Sequence, residues 1–180
     1  MRLLFVGPPG SGKGTQAIRV AEGLGIPHIS TGEMFRSHVT RGTELGKTVK
    51  ELMAAGEYVP DEITGKMLAE RLTHPDAARG FILDGFPRTI PQAELLDDLL
   101  AEKPLDRVVL LAVDEEELMA RMLSRGRADD TAETIRRRLE VYESQTAPLL
   151  DLYGPRGLLE RVDGSGDMNE ITGRIMAALR

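Results

Sequence analysis

The chain of 180 residues has 41% hydrophobic and 29% charged residues, which is typical of a globular domain with one substantial core. Its net charge of −6 argues against sequence-independent binding of nucleic acid, which needs a positive surface. The absence of cysteine excludes disulfides and thiolate zinc sites, and it fits the reducing cytoplasm, where we expect the protein to act. The apolar runs are too short for a signal peptide or a membrane span, so no membrane partner is expected.

Five short apolar runs alternate with helical patterns along the chain. They predict strands at 2–7, 27–29, 81–84, 107–113 and 158–162. The first helix follows the first strand, and two later helices are expected to begin with Asp61 and Thr89 as caps. This alternation predicts an α/β fold, with a parallel sheet covered by helices on both faces.

Two stretches interrupt the alternation. Residues 30–59 contain two successive helical patterns without a strand, and residues 124–130, SRGRADD, have only one apolar side chain. We expect both stretches to cover a site at the carboxyl edge of the sheet. The predicted organisation is a core domain of residues 1–29, 60–121 and 132–180, an insertion at 30–59 and a short lid at 122–131.

The sequence GPPGSGKGT at residues 7–15, the phosphate loop, has the G-x4-G-K spacing between a strand and a helix. Glycines let the backbone wrap a phosphate, while amide groups and the helix N-terminus attract its charge. Lys13 is then able to reach the outer phosphates. The loop departs from the general pattern at Gly14, since Thr15 comes one place later than the usual Ser or Thr.

Asp84 closes the third predicted strand. A carboxylate in this place orients magnesium directly or through water in many phosphate-binding proteins, although an aspartate there is more often a turn former. The adjoining residues 85–88, GFPR, favour the functional interpretation.

Arginine is unusually frequent, because only five of the 23 basic residues are lysines. Six arginines form a possible ring, here called the arginine set: Arg36, Arg88, Arg121, Arg125, Arg127 and Arg138. Arg138 flanks an apolar helical stripe and needs an anionic partner, whereas Arg136 and Arg137 are predicted to be solvated surface charges. A transfer between two phosphate groups needs several fixed cations, so the sequence predicts a small kinase with a phosphorylated acceptor.

Several sequence motifs, in the order in which they occur along the chain, resemble those of the adenylate kinase family, and they extend over essentially the whole chain. They are GPPGSGKGTQ at 7–16, ISTGEMFR at 29–36, AAGEYVPDE at 54–62, FILDGFPRTIPQA at 81–93 and VDGSG at 162–166, together with the arginines. The order Gly14-Thr15 is also what this family shows. The resemblance implies a P-loop nucleoside monophosphate kinase fold with a five-stranded parallel sheet and AMP-binding helices at 30–59. It further implies reversible phosphoryl transfer from MgATP to AMP, giving two ADP.

The resemblance also implies roles for individual residues. ATP would be bound by Gly10, Ser11, Gly12, Lys13, Gly14, Thr15, Arg121, Arg125 and backbone at Gly166. AMP would be bound by Thr31, Arg36, Met53, Glu57, Tyr58, Val59, Gly85, Phe86, Pro87, Arg88, Gln92, Arg127 and Arg138. Catalysis would depend on Lys13, Arg88, Arg125, Arg127 and Arg138, with Asp84 ordering water around Mg2+.

The lid is much shorter than the zinc-binding lid of the long bacterial form, so Mg2+ with ATP is the only cofactor expected, and no zinc. A short lid is also similar to that of UMP/CMP kinases, but Thr31 and Thr89 favour AMP. A nucleotide-binding sensor without turnover is the alternative from a different functional class. We expect a monomer whose partners are nucleotides, and we expect only surface or capping roles for the three histidines.

Overall fold

A computed structural model describes residues 1–126 and 130–180. Its strands are β1 (Arg2–Val6), β2 (His28–Ser30), β3 (Phe81–Asp84), β4 (Arg107–Ala112) and β5 (Leu159–Asp163). They form one parallel sheet in the order β2-β3-β1-β4-β5. Every predicted strand is found within one or two residues of its expected place, which confirms the predicted α/β fold.

Nine α-helices lie within the described part of the chain. They are α1 (Lys13–Leu24), α2 (Thr31–Thr40), α3 (Glu44–Ala55), α4 (Asp61–Leu72), α5 (Ile90–Leu99), α6 (Glu115–Arg125), α7 (Ala132–Val141), α8 (Leu149–Tyr153) and α9 (Met168–Ala178). A 3-10 turn at Pro75–Arg79 precedes β3, and a π-helical turn at Tyr142–Thr146 follows α7. None of these helices is long and apolar enough to cross a bilayer.

The core lies on both faces of the sheet because successive strand residues point to opposite sides. Leu4, Leu83 and Leu110 pack beneath α4, α5 and α8, whereas Leu3 and Val109 pack beneath α1 and α9. Burial on two faces explains why the strands read as nearly continuous apolar runs.

The insertion at 30–59 has a small apolar core of its own. Phe35 on α2, Val49 on α3 and the following Val59 are buried together, apart from the two clusters that cover the sheet. The two helices therefore pack mainly on each other and stand over the end of β2.

The two predicted helix caps have different outcomes. Thr89 caps α5, since its Oγ1 accepts a hydrogen bond from the backbone nitrogen of Gln92 at 3.3 Å, as predicted. The prediction for Asp61 is wrong, because α4 begins with Asp61 itself after Pro60, without a side-chain cap. The Asp61 carboxylate turns instead toward α5, where it accepts hydrogen bonds from Thr89 at 3.1 Å and from Gln92 at 2.6 Å.

Candidate active site

A cavity of about 790 Å3 opens at the carboxyl edge of the sheet. This is the edge at which parallel α/β sheets bind ligands. Its walls come from the phosphate loop, the insertion at 30–59, the residues after β3, and helices α6 and α7 with the π-helical turn. Segments far apart in the sequence therefore meet around one space.

The phosphate loop is shaped by its backbone. Ser11 donates its amide hydrogen to the carbonyl of Pro8 at 3.2 Å, and the Nζ of Lys13 donates to the same carbonyl at 3.2 Å. Gly10 has φ +85°, and a Cβ there would lie 2.9 Å from the carbonyl oxygen of Leu118 on α6. Only glycine fits this position, because both the left-handed backbone and the close approach of α6 exclude a side chain.

Gly14 lies where α1 passes close to the end of β3. A Cβ at Gly14 would be 3.3 Å from Oδ2 of Asp84, closer than most neighbours of a real side chain. A serine or threonine here would crowd this carboxylate. The departure from the general loop pattern thus has a structural reason.

Asp84 is nearly buried, with 8% of its surface exposed. Nε2 of His28 lies 3.4 Å from its Oδ2, on the neighbouring strand. Burial raises the pKa of Asp84, but the hydrogen bond from His28 and the positive charges of Lys13 and Arg88 outweigh it and hold the pKa below its ordinary value of 3.8. Asp84 is therefore ionised at neutral pH.

The residues after β3 form one compact hydrogen-bonded group. The carbonyl oxygen of Gly85 accepts from Oγ1 of Thr31 and from Nε of Arg88, both at 2.8 Å. The backbone nitrogen of Arg88 donates to Oε1 of Gln92 at 2.7 Å, and the peptide bond from Phe86 to Pro87 is cis. The Arg88 side chain is thus held against the floor of the cavity.

Two arginines of the set share one carboxylate. Arg125 donates from Nε and Nη2 to Asp130, both at 2.7 Å, and Arg138 donates from Nη1 to the same carboxylate at 2.8 Å. The Asp130 side chain is only 1% exposed, whereas those of Arg125 and Arg138 are 29% and 17% exposed. The anionic partner that Arg138 was predicted to need is therefore, in this structure, an aspartate.

Two further arginines pair with a glutamate on their own helix. Arg36 forms an ion pair with Glu33, and Arg121 with Glu117. Arg121 also donates to the carbonyl oxygen of Ser11 at 3.3 Å, so it reaches the phosphate loop. Both guanidinium groups line the cavity.

The end of the insertion contacts α7. Met53 accepts a hydrogen bond from Nη2 of Arg138 at 3.4 Å, and Glu57 accepts one from Nε of Arg137 at 2.6 Å. Arg137 is half exposed, as expected for a surface charge. The sequence did not predict its ion pair with Glu57.

Most predicted site residues meet in this cavity. Those that line it are Gly10, Gly12, Lys13, Gly14, Thr15, Thr31, Arg36, Met53, Glu57, Tyr58, Val59, Asp84, Gly85, Pro87, Arg88, Gln92, Arg121, Arg125 and Arg138. Ser11 and Phe86 are buried beneath it, and Gly166 lies outside its lining. Arg127 lies outside the residues that the structure describes.

Sequence reasoning missed three side chains at this site. His28 was expected to have a surface or capping role, yet it lines the cavity and contacts Asp84. Asp130 holds two arginines, and Thr146 at the end of the π-helical turn also lines the cavity. The predicted strand at 27–29 placed His28 in the sheet, but its contact with Asp84 depends on the order of the strands, and nothing in the sequence marked Thr146. Among the described residues, no three acidic or histidine side chains are grouped to hold a metal ion.

Comparison with known proteins agrees with this geometry. The family model for adenylate kinase matches residues 5–158. An adenylate kinase of Stenotrophomonas maltophilia strain K279a is 55% identical over the full length of both chains. Adenylate kinases of Thermobifida fusca and of a Nocardioides species are 53% and 52% identical, over 100% and 99% of this chain and 98% and 97% of theirs.

Proposed function

Because the chain belongs to the adenylate kinase family, we propose that it transfers the terminal phosphoryl group of MgATP reversibly to AMP, giving two ADP. The observation that carries this proposal is the single cavity in which a phosphate loop faces the group around Thr31, Gly85 and Arg88. Such a space suits two nucleotides whose phosphates meet in the middle.

On the donor side, the amides of residues 10–15 and the N-terminus of α1 surround the ATP phosphates, and Lys13 contacts the outer ones. Arg121 and Arg125 approach from α6, opposite the loop. Backbone near Gly166 is proposed to contact the adenine. The supporting observation is the hydrogen bond from Arg121 to Gly164, at 2.9 Å, which ties this segment to the ATP side of the cavity.

On the acceptor side, we assign the AMP phosphate to Arg36 and Arg88 and its nucleoside to residues around Thr31, Gln92 and the segment 57–59. The wall there combines cationic, polar and apolar groups, as a nucleoside monophosphate requires. Met53, Gly85 and Pro87 complete this wall.

Between the two nucleotides, the charge of the transferring group is stabilised by Lys13, Arg88, Arg125 and Arg138, and Arg127 is assigned the same role. A phosphate oxygen of AMP attacks the terminal phosphorus while ADP leaves on the opposite side. This oxygen is already ionised, so no general base is needed, and positioning with charge stabilisation lowers the barrier.

Magnesium enters with ATP in this proposal. The protein groups beside the phosphate loop fit this arrangement, because they include one ionised carboxylate, that of Asp84. Most ligands of a magnesium ion would then be phosphate oxygens and water. Bound there, the ion neutralises phosphate charge. Asp84 would hold the water around it, and His28 and Gly14 would fix the position of that carboxylate.

We further propose that the insertion at 30–59 and the short lid at 122–131 close over the nucleotides to exclude water, while the core of 1–29, 60–121 and 132–180 stays in place. The apolar cluster within the insertion supports its movement as a unit, although Ile63 and Met67 of α4 also pack against that cluster. The proposed active form is a monomer, since one chain supplies both walls of the cavity. A cytoplasmic location is proposed because the sequence without cysteine fits a reducing compartment.

The test is a coupled assay with ATP, magnesium and AMP, UMP or CMP in turn. We expect rapid ADP formation with AMP and little with the pyrimidine nucleotides. Faster turnover with UMP or CMP would contradict the assigned acceptor. Binding of nucleotides without turnover would contradict the enzymatic proposal and support a sensor.

A further inference from the structure

The π-helical turn at Tyr142–Thr146 brings Tyr142 and Thr146 into the wall of the cavity. Thr146 is 4% exposed, and its Oγ1 donates to the carbonyl oxygen of Arg88 at 2.8 Å. π-helical turns inside α-helical segments occur frequently at functional sites. This turn reaches the residue that was assigned to the AMP phosphate.

The same hydroxyl contacts the insertion. The hydroxyl of Tyr58 lies 2.8 Å from Oγ1 of Thr146. A threonine hydroxyl has one hydrogen, which Thr146 gives to Arg88, so Tyr58 must be the donor in the second hydrogen bond. The two bonds form a relay from Tyr58 through Thr146 to the backbone of Arg88.

Tyr58 also touches the side chain of Arg88. The guanidinium carbon lies 4.8 Å from the centre of the Tyr58 ring, within the range of a cation–π contact. Its Nε is bound to Gly85, and within residues 1–126 and 130–180 no other protein acceptor binds this guanidinium group. Arg88 also lines the cavity, so its terminal nitrogens lie where a bound phosphate could reach them.

We propose that Thr146 and Tyr58 are positioning residues that fix both the backbone and the guanidinium group of Arg88 for the phosphate of the acceptor nucleotide. The inference rests on the proposed function. Thr146 touches no reacting atom. It acts through Arg88, and it also anchors the end of the insertion to the core through Tyr58.

The first experiment compares Thr146→Val, which keeps the shape and removes the hydroxyl, with Thr146→Ser, which keeps the hydroxyl. We expect Thr146→Val to raise the KM for AMP by about three- to tenfold, the effect of a lost buried hydrogen bond, with the KM for ATP changed less than twofold. Thr146→Ser restores most of the affinity. Ser144→Ala is the matched control, because Ser144 lies in the same turn and its hydroxyl, among the described residues, bonds to the carbonyl oxygens of Glu140 and Val141.

A purely structural role gives a different result. If the role is purely structural, Thr146→Val lowers the thermal unfolding midpoint and weakens the binding of ATP and AMP to the same extent. Thr146→Ser then gives no selective recovery of AMP binding. Equal KM values for AMP in wild type and Thr146→Val, or equal losses for ATP and AMP, overturn the proposal. If wild type itself does not phosphorylate AMP, the proposed function fails first.

Tyr58 provides an independent test that does not depend on the folding of the Thr146 variant. Tyr58→Phe removes only the hydroxyl, and Tyr58→Leu also removes the ring over Arg88. We expect the KM for AMP to rise with Tyr58→Phe and further with Tyr58→Leu. Because Thr146→Val already breaks the relay, the double variant with Tyr58→Phe is expected to equal Thr146→Val alone, and multiplied effects would overturn the relay.

Discussion

The phosphate loop is held by its own backbone, whereas most of the described arginines are held by carboxylates. In the loop, amide-to-carbonyl bonds and the left-handed Gly10 define the shape before any nucleotide arrives. Arg125 and Arg138 are instead bound to Asp130, which neutralises part of their charge.

The loop and the arginines therefore differ in what must change when a nucleotide binds. The backbone of the loop has its shape before a nucleotide binds, so the cost of ordering it is not charged to binding. The arginines must exchange a carboxylate for a phosphate, so they develop their full effect only when the nucleotide is in place. Substitutions in the loop should therefore reduce the rate of turnover, while substitutions of the carboxylates should change the affinity for nucleotides.

The largest effect is expected for Lys13→Met. The variant loses the lysine charge of the loop, and turnover should fall by about 100-fold or more, as for other groups that stabilise transition-state charge. Unfolding by urea should be nearly unchanged. Lys66→Met, at an exposed position on α4 away from the cavity, serves as the control, and a normal rate for Lys13→Met would contradict the assigned role.

Gly10→Ala tests the backbone construction of the loop. A Cβ at φ +85° would meet Leu118 and Met122 on α6 at 2.9 Å. We expect a loss of about 1–3 kcal/mol in the free energy of unfolding, measured by urea denaturation, together with weaker ATP binding. Gly173→Ala adds a Cβ that meets no described atom within 4 Å outside its own helix, so the protein should be as stable or more so.

Asp130→Asn tests the exchange of partners directly. This change removes the negative charge that Arg125 and Arg138 share, so ATP should protect the variant more strongly against thermal unfolding than it protects wild type. The nucleotide-free variant should be less stable by about 1–3 kcal/mol, because two cations lose a buried anionic acceptor. Weaker protection by ATP would show that Asp130 orders the arginines for the nucleotide instead of competing with it. Asp151→Asn, at an exposed site, is the control.

Asp84→Asn should change the pH dependence of stability. Since the folded protein holds the pKa of Asp84 below 3.8, the ionised carboxylate stabilises the fold. This contribution is complete above the unfolded pKa and disappears as the pH falls through the lower folded pKa. Urea denaturation from about pH 6 down to about pH 3 should therefore show that the free energy of unfolding falls less steeply with pH in Asp84→Asn than in wild type. Parallel curves would contradict the prediction.

The smallest effect is expected for Arg137→Ala. Its bond to Glu57 joins two partly exposed side chains, so solvent screens most of the attraction. The KM for AMP should change by roughly twofold or less at low salt and not at all at high salt. Arg136→Ala, on the same helix and exposed, should have no effect at either salt concentration.

Backbone requirements explain which features were predictable. The strands were found because burial on two faces demands apolar runs, and the loop was found because its glycines have fixed spacing. Asp61 was misassigned because a capping residue and a first-turn residue look alike in sequence when the preceding residue is a proline.

Side-chain partners were harder to predict because they depend on how distant segments meet. The bond from Arg137 to Glu57 spans 80 positions, and that from Thr146 to Arg88 spans 58. His28 shows the intermediate case, since its strand was predicted but its contact with Asp84 depends on strand order. The roles of the individual site residues stay predictions until the variants are measured.

The walls of the cavity come from positions as far apart as Phe5 and Thr146. No contiguous piece of the chain shorter than this span contains the whole pocket. If the protein were divided within a surface connection between positions 5 and 146, each piece would carry an incomplete pocket, and tight retention of a nucleotide would report that the pieces had reassembled.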